Sequence, residues 1–319
     1  MMRHYNIPVF VPHKGCPNDC VFCNQKKITG VSEAETLLRA EEIIEEHLST
    51  MKRPYYAEIA FFGGSFTGID ISLQKQYLEI AKKYIDAGKV DGVRLSTRPD
   101  YISAEILDML KSYGVTAVEL GAQSMNDEVL RKNRRGHTVE DTKKALRLLK
   151  EYGFETGLQM MTGMYGSDAE TDIFTGREIA ELNPDTVRIY PTVVLSETAL
   201  ENLYKDGEYL PPSLEKSVDI CAALYRIFEE KKIKIIRMGL QSTDIICEKG
   251  GIVAGGYHSA FGELVLSKLL RDEMEEEVKS GKRVIEVPAK KLSAAIGQKR
   301  ANITYFKEKY DIDIEVKGI

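Results

Sequence analysis

"GVRLSTRPDYISAEILDMLKSYGVTAVELGAQS", residues 92–124, holds one full period of the chain's structural rhythm. The apolar run 92–96 reads as a strand, a helical stripe follows over about 103–113, and 116–120 reads as the next strand. Outward from it the same alternation recurs. Strands are expected at 7–11, 57–62, 155–161, 185–190 and 232–238, with helices at about 35–50, 72–87, 138–152, 169–182 and 213–231. "ALRLLKEYG" (145–153) shows the helical stripe and its closing glycine plainly. Near-continuous apolar strands alternating with helices imply a parallel sheet with helices outside it. Some seven such units predict an α/β fold built as a full or partial β/α barrel, whose functional groups gather at the carboxyl ends of the strands. The chemically unusual residues do follow strands: a cysteine loop after the first, "GGSFTG" (63–68) after the second, "TRPD" (97–100) after the third and "GAQS" (121–124) after the fourth.

Near residue 245 the rhythm stops. "CEKGGIVAGGYHSAFGE" (247–263) is glycine-rich and reads as a linker or irregular cap, followed by a charged helix over 263–281. The expected division is therefore a barrel over 1–245, linker and helix over 246–281, and a small α/β unit over 282–319. With 319 residues the chain can bury a full core. Net charge is −5, which argues against the whole molecule being a bulk polyanion binder. No apolar run approaches the ~18 residues of a membrane span, and no apolar leader opens the chain. A cytoplasmic, membrane-free protein is the expectation.

Three of the five cysteines fall in "KGCPNDCVFCNQ" (14–25), as Cys16, Cys20 and Cys23. Cys221 and Cys247 are isolated and read as inert, which fits a reducing compartment. A four-iron cluster takes four thiolates, so three leave one iron open to another ligand. Zinc is the rival, with His13 completing a set of three cysteines and one histidine. Gly63 and Gly64 weigh against zinc, because two glycines closing the next strand bring bare backbone near a ligand, with Ser65 and Thr67 as hydroxyl partners.

The cysteine spacing on a loop after a strand, with Phe22 before the third cysteine, resembles the radical S-adenosylmethionine superfamily. That resemblance implies a [4Fe-4S] cluster on Cys16, Cys20 and Cys23, with S-adenosylmethionine on the open iron. It implies a one-electron donor such as flavodoxin or ferredoxin, and a 5′-deoxyadenosyl radical as the reactive species. Gly63 and Gly64 would match the motif that binds the cofactor's amino group. "LSTRPDYI" (95–102), "VELGAQSMNDEVLRKNRRGHT" (118–138), "LNPDTVRIYPT" (182–192) and "HSAFGELV" (258–265) narrow the likeness to the catalytic subunit of the Elongator complex, a tRNA-modifying enzyme. By that resemblance Gln123, Arg135 and Gln159 line the S-adenosylmethionine pocket, together with Phe22, Ser65 and Thr67. Ser96 stands where the family often has glutamate, which makes that contact shorter and neutral. The Elongator subunit also carries an acetyltransferase domain, for which the about 75 residues after the barrel are too few. Its acetyl-CoA-dependent reaction is therefore not carried over.

Tyr190 is a weak candidate for a hydrogen-atom relay, and His137 sits at a comparable loop end. Segment 281–317 reads as strand, helix, tight loop, helix, strand. Over 282–309 eight Lys and Arg face only Glu286 and Glu308, a net of +6 in an acidic protein. Its loop "IGQKRANI" (296–303) resembles the loop with which KH domains clamp single-stranded RNA, Arg300 replacing the second glycine. Lys290, Lys291, Gly297, Lys299 and Arg300 are the candidate RNA contacts. Three readings follow: a radical enzyme on RNA, chiefly tRNA; a radical enzyme on a small molecule such as a tetrapyrrole; and a non-catalytic RNA-binding protein with a structural metal. The basic tail favours RNA.

Overall fold

A computed structural model describes residues 3–11, 19–23, 33–241, 246 and 250–319, the side chains of 33–36 excepted. Cys16, His13 and Cys247 lie outside the described residues. Seven parallel strands form one sheet in sequential order: β1 (Arg3–Val11), β2 (Tyr55–Gly63), β3 (Gly92–Thr97), β4 (Val115–Gln123), β5 (Glu155–Thr162), β6 (Thr186–Pro191) and β8 (Lys234–Met238). β1 and β8 are the two edges, so the barrel is partial, a curled half-barrel. Between strands run α1 (Glu33–Thr50), α2 (Ile71–Asp86), α3 (Ala104–Ser112), α4 (Asp127–Lys132), α5 (Val139–Glu151), α6 (Ala169–Leu182), α7 (Ala199–Lys205) and α8 (Leu214–Glu230).

Local chemistry starts these helices soon after each strand. Ser103 accepts from the Ile106 amide, Asp168 from that of Thr171, and Thr138 with Asp141 forms a reciprocal capping box. Alternation along the strands then sorts the two faces of the sheet. Ile7, Val9, Ile59, Phe61, Val93, Leu95, Val118, Leu120, Leu158, Met160, Val187 and Ile189 are buried in one core with the helices. The apolar runs are less continuous than expected, because the intervening positions carry Glu58, Arg94, Glu119, Gln159 and Arg188. Helices cover only one face, so the concave face has no apolar layer to meet.

The glycine-rich stretch contributes a short strand, β9 (Ile252–Ala254), which pairs antiparallel with β7 (Val194–Leu195). Next comes α9 (Phe261–Lys279), which serves two cores. Phe261, Val265 and Leu269 join the barrel core, whereas Leu270, Met274 and Val278 join a second cluster with Ile285, Val287, Ala295, Phe306 and Ile314. That second cluster belongs to the tail, where β10 (Val284–Val287), α10 (Leu292–Ile296), α11 (Ala301–Tyr310) and β11 (Glu315–Gly318) follow the expected order. β10 and β11 pair in parallel. Buried Asn302 fixes the turn between the helices, its amide donating to the Ser267 carbonyl at 3.1 Å and to the Ala295 carbonyl at 3.0 Å.

Candidate active site at the carboxyl edge of the sheet

The described part of the cysteine loop is held from two sides. The Val21 amide donates to the Asn133 carbonyl at 3.3 Å, and the Leu200 amide donates to the Val21 carbonyl at 2.7 Å. Val21 is buried with Val194, Leu200 and Tyr209, and Phe22 packs against that cluster. One turn, closed by the Cys23 amide on the Cys20 carbonyl at 3.0 Å, carries both cysteines. As a thiol Cys20 donates to the Arg134 carbonyl; as a thiolate it accepts from Arg135 Nη1, 3.3 Å from its sulfur.

Arg135 is anchored in turn by donating from Nη2 to the Gly121 carbonyl at 2.8 Å. A Cβ on Gly121 would stand 2.8 Å from Gln123 Nε2 and 3.3 Å from Arg135 Nη2, so glycine lets both side chains fold over the strand end. Gln123 itself adopts φ 65°, a left-handed conformation uncommon for a side-chain-bearing residue. Its Oε1 is buried and meets no hydrogen-bond donor among the described residues. At the end of β2, Gly63 has φ 107°, and a Cβ there would press to 3.0 Å from the Val11 carbonyl.

Ser65 and Thr67 do something other than face outward. Both hydroxyls are buried and hydrogen-bond Thr97 Oγ1, at 2.9 and 2.5 Å, and Ser65 Oγ also accepts from the Arg98 amide. They tie the ends of β2 and β3 together. Ser96 accepts from Gln159 Nε2 at 3.0 Å, and the same nitrogen donates to Glu119. His137 is buried, its Nε2 donating to the Ala122 carbonyl at 3.2 Å. Burial, with Arg135 beside it, pushes that imidazole down to about 4, so it is neutral. Tyr190 lies half-buried on the concave face beside Arg188, and burial pushes its hydroxyl up, so it stays protonated.

Sequence reasoning missed a charged ladder across the half-barrel. Its signal was available as one charge inside each apolar run: Glu58, Arg94, Glu119 and Arg188. Arg94 donates to Glu58 at 3.0 Å and to Glu155 at 2.8 Å, and Arg188 grips Glu119 through Nε and Nη2 at 2.5 and 3.0 Å. Gly157 stands between those last two, and a Cβ there would come 2.7 Å from Glu119 Cγ. Arg188 also lies over the Phe62 ring, 5.1 Å from its centroid. Contact between the second and sixth strands requires the sheet to curl.

Two expected results arise from this ladder. Arg94→Ala leaves buried Glu58 without its guanidinium, Glu119 keeping Arg188, and should cost about 3–5 kcal/mol of unfolding free energy in urea titration. A loss below about 1 kcal/mol would mean that His4 and Thr116 satisfy Glu58 without it. For Glu58, burial pushes the carboxyl up, but the His4 hydrogen bond, Arg94 and Thr116 outweigh it and hold the group at about 2, down from 4.5. A depressed folded value means stability that is full above pH 4.5 and lost as pH falls through about 2. Glu58→Gln should therefore flatten the acid limb of stability in that window. An unchanged acid limb would assign it to other carboxylates.

Residues 10–173 match the radical SAM superfamily, and residues 184–271 match the radical SAM C-terminal domain. The chain belongs to the radical SAM superfamily, and is an enzyme that uses a [4Fe-4S] cluster and S-adenosylmethionine. Over 228 residues it is 34% identical to a tRNA uridine(34) acetyltransferase of Methanocaldococcus jannaschii, covering 65% of this chain and 41% of that protein. It is 32% identical over 171 residues to Elongator complex protein 3 of Schizosaccharomyces pombe, covering 49% of this chain and 31% of the relative. The solved structure of an N-terminally truncated Elp3 from Methanocaldococcus infernus superposes with a TM-score of 0.65 at 25% identity, over 98% of this chain and 69% of that one. The chain thus spans less than half the length of these two curated relatives.

The residues described fit the two cofactors. Two sulfurs share one turn, a guanidinium meets one of them, a buried amide oxygen lacks a donor, and bare glycine backbone closes the neighbouring strand. No helix among the described residues is long and apolar enough to cross a membrane.

Proposed function

We propose that this enzyme modifies RNA, and tRNA in particular. The observation that carries the reading is the tail's distribution of cations. Lys282, Lys307, Lys309 and Lys317 pair with carboxylates, whereas exposed Lys290, Lys291, Lys299 and Arg300 have no ion-pair partner among the described residues. Lys299 and Arg300 form the turn between α10 and α11, and Lys290 and Lys291 lie just before α10, on the unit whose loop resembles the phosphate-gripping loop of KH domains. Lys299 and Arg300 adopt φ 52° and 63°, so the turn keeps the left-handed backbone that a second glycine would favour. Curated relatives named tRNA uridine(34) acetyltransferase point to the same substrate class.

On this reading residues 1–245 are the catalytic unit, 246–281 join it to the tail, and 282–319 grip RNA. Cys16, Cys20 and Cys23 hold the cluster, with Arg135 donating to the Cys20 sulfur. Gly63 and Gly64 receive the amino group of S-adenosylmethionine. Gln123 and Gln159 supply amide contacts, Phe22 fixes the loop, and Ser65, Thr67 and Ser96 act chiefly by holding strand ends and Gln159 in place. When bound, cluster and cofactor supply a 5′-deoxyadenosyl radical, given one electron from a donor such as flavodoxin or ferredoxin. Tyr190, protonated, can present a hydrogen atom at the concave face.

The deciding experiment is anaerobic incubation with bulk tRNA, reductant and S-adenosylmethionine, followed by nucleoside mass spectrometry. A new modified nucleoside that depends on all components is expected. Efficient turnover of a tetrapyrrole with no change in any nucleoside would replace RNA with a small molecule.

A further inference from the structure

Two arginines stand side by side on the concave face. Arg188 of β6 and Arg237 of β8 are partners in register. Like charges placed opposite one another on neighbouring strands destabilise a sheet. Glu119 neutralises Arg188 through both oxygens. Arg237 has no carboxylate partner among the described residues; its Nε donates to the Gly239 carbonyl at 3.0 Å. That bond aims the fork, so the two outer nitrogens are set to grip an oxyanion from two sides. Tyr190 lies beside Arg237 and Arg188, and a protonated hydroxyl there is a further donor. The level is that of Gln159, which pairs with Arg188 in register.

Aromatic surface faces the same space. Phe10 and Phe62 are register partners on β1 and β2, at alternate positions from buried Val9 and Phe61. Phe10 is 50% exposed, an unusual state for a ring inside a curled sheet. Phe62 already carries the Arg188 guanidinium on its ring, which links the aromatic pair to the arginine pair. A cation with no carboxylate partner among the described residues and an open ring on the same face match the two halves of a nucleotide.

We infer that the half-barrel contains a nucleotide subsite, in which Arg237 takes a backbone phosphate of the RNA substrate and Phe10 takes a base. The subsite rests on the reading of RNA as substrate, and it is distinct from the tail cations. It delivers the target nucleotide to the interior, whereas the tail supplies most of the affinity.

The test uses the full-length holoenzyme, kept anaerobic, with Arg237→Gln, Arg237→Lys and Phe10→Ala variants and bulk tRNA. Arg237→Gln should lower kcat/KM for RNA-dependent 5′-deoxyadenosine formation by about 10-fold or more, equivalent to about 1.4 kcal/mol. Arg237→Lys should recover part of that loss. Neutralising one single-strand phosphate contact should also make the log–log salt dependence of RNA binding shallower by about 0.7 in Arg237→Gln. Phe10→Ala should slow the reaction and leave that slope unchanged. Affinity for S-adenosylmethionine in the absence of RNA should be the same in all four proteins. If Arg237→Gln weakens the cofactor instead, the oxyanion is the methionine carboxylate and the subsite is overturned. Unchanged slope and rate in that variant overturn it as well, with RNA still the substrate. A wild-type enzyme that shows no response to tRNA would remove the RNA reading itself, and the subsite with it.

Discussion

Replacing Cys20 or Cys23 by alanine is expected to yield a folded protein that holds no iron and forms no 5′-deoxyadenosine. Folding should survive because the loop is fastened through backbone atoms and through Val21, none of which the substitution touches. What disappears is a thiolate beside a guanidinium, for which alanine offers no substitute. Cys221 supplies the internal control. It is fully buried on α8, and burial pushes its thiol up to about 12, so it stays protonated and cannot act as a ligand at neutral pH. Cys221→Ala should leave iron and cofactor cleavage unchanged and cost only a little stability. Iron analysis and the visible spectrum of anaerobic protein decide the matter. Stoichiometric zinc without iron in the wild type, or full iron in Cys20→Ala, would sink the cluster assignment.

Reversing charge at Lys299 and Arg300 together is expected to weaken tRNA binding by about 100-fold at low salt and leave iron content intact, because each single-strand phosphate contact adds about 0.7 to the log–log salt slope. Both side chains are exposed and form no ion pair among the described residues, so the change removes no internal bond. Cleavage of S-adenosylmethionine without RNA should continue at the wild-type rate. Arg300→Gly makes a useful companion, since glycine adopts φ 63° without strain and tests charge apart from backbone. Wild-type affinity in the double reversal would remove the tail from RNA binding.

Much of this architecture could be read from periodicity. All seven strands of the sheet lie where the apolar runs placed them, and the helix over 169–182 agrees to the residue. α4 and α7 escaped notice because six or seven residues are too few to show a helical stripe. β7 and β9 escaped because strands of two and three residues have no pattern of their own; their existence is a tertiary fact. At the site, motifs identified the strand ends but not the direction of each side chain. Ser65 and Thr67 looked like ligand hydroxyls, and only the fold brings Thr97 within their reach. Arg94, Glu119 and Arg188 drew no reading, because a ladder between distant strands is invisible along one chain.

α9 also sets a measured offset. Phe261, at its first turn, rests against Gly239 just past β8, and Ser267 receives the Asn302 amide at the base of the cationic loop. Six residues of helix separate those two anchors, a rise of about 9 Å and somewhat under two turns. Both ends are locked into packed cores, so on the proposed reading of RNA as substrate this short strut would work as a gauge, fixing the pitch and phase between the nucleotides at the loop and the one that reacts. Enzymes with longer or shorter versions of that strut would be expected to act on a different nucleotide of the same bound segment.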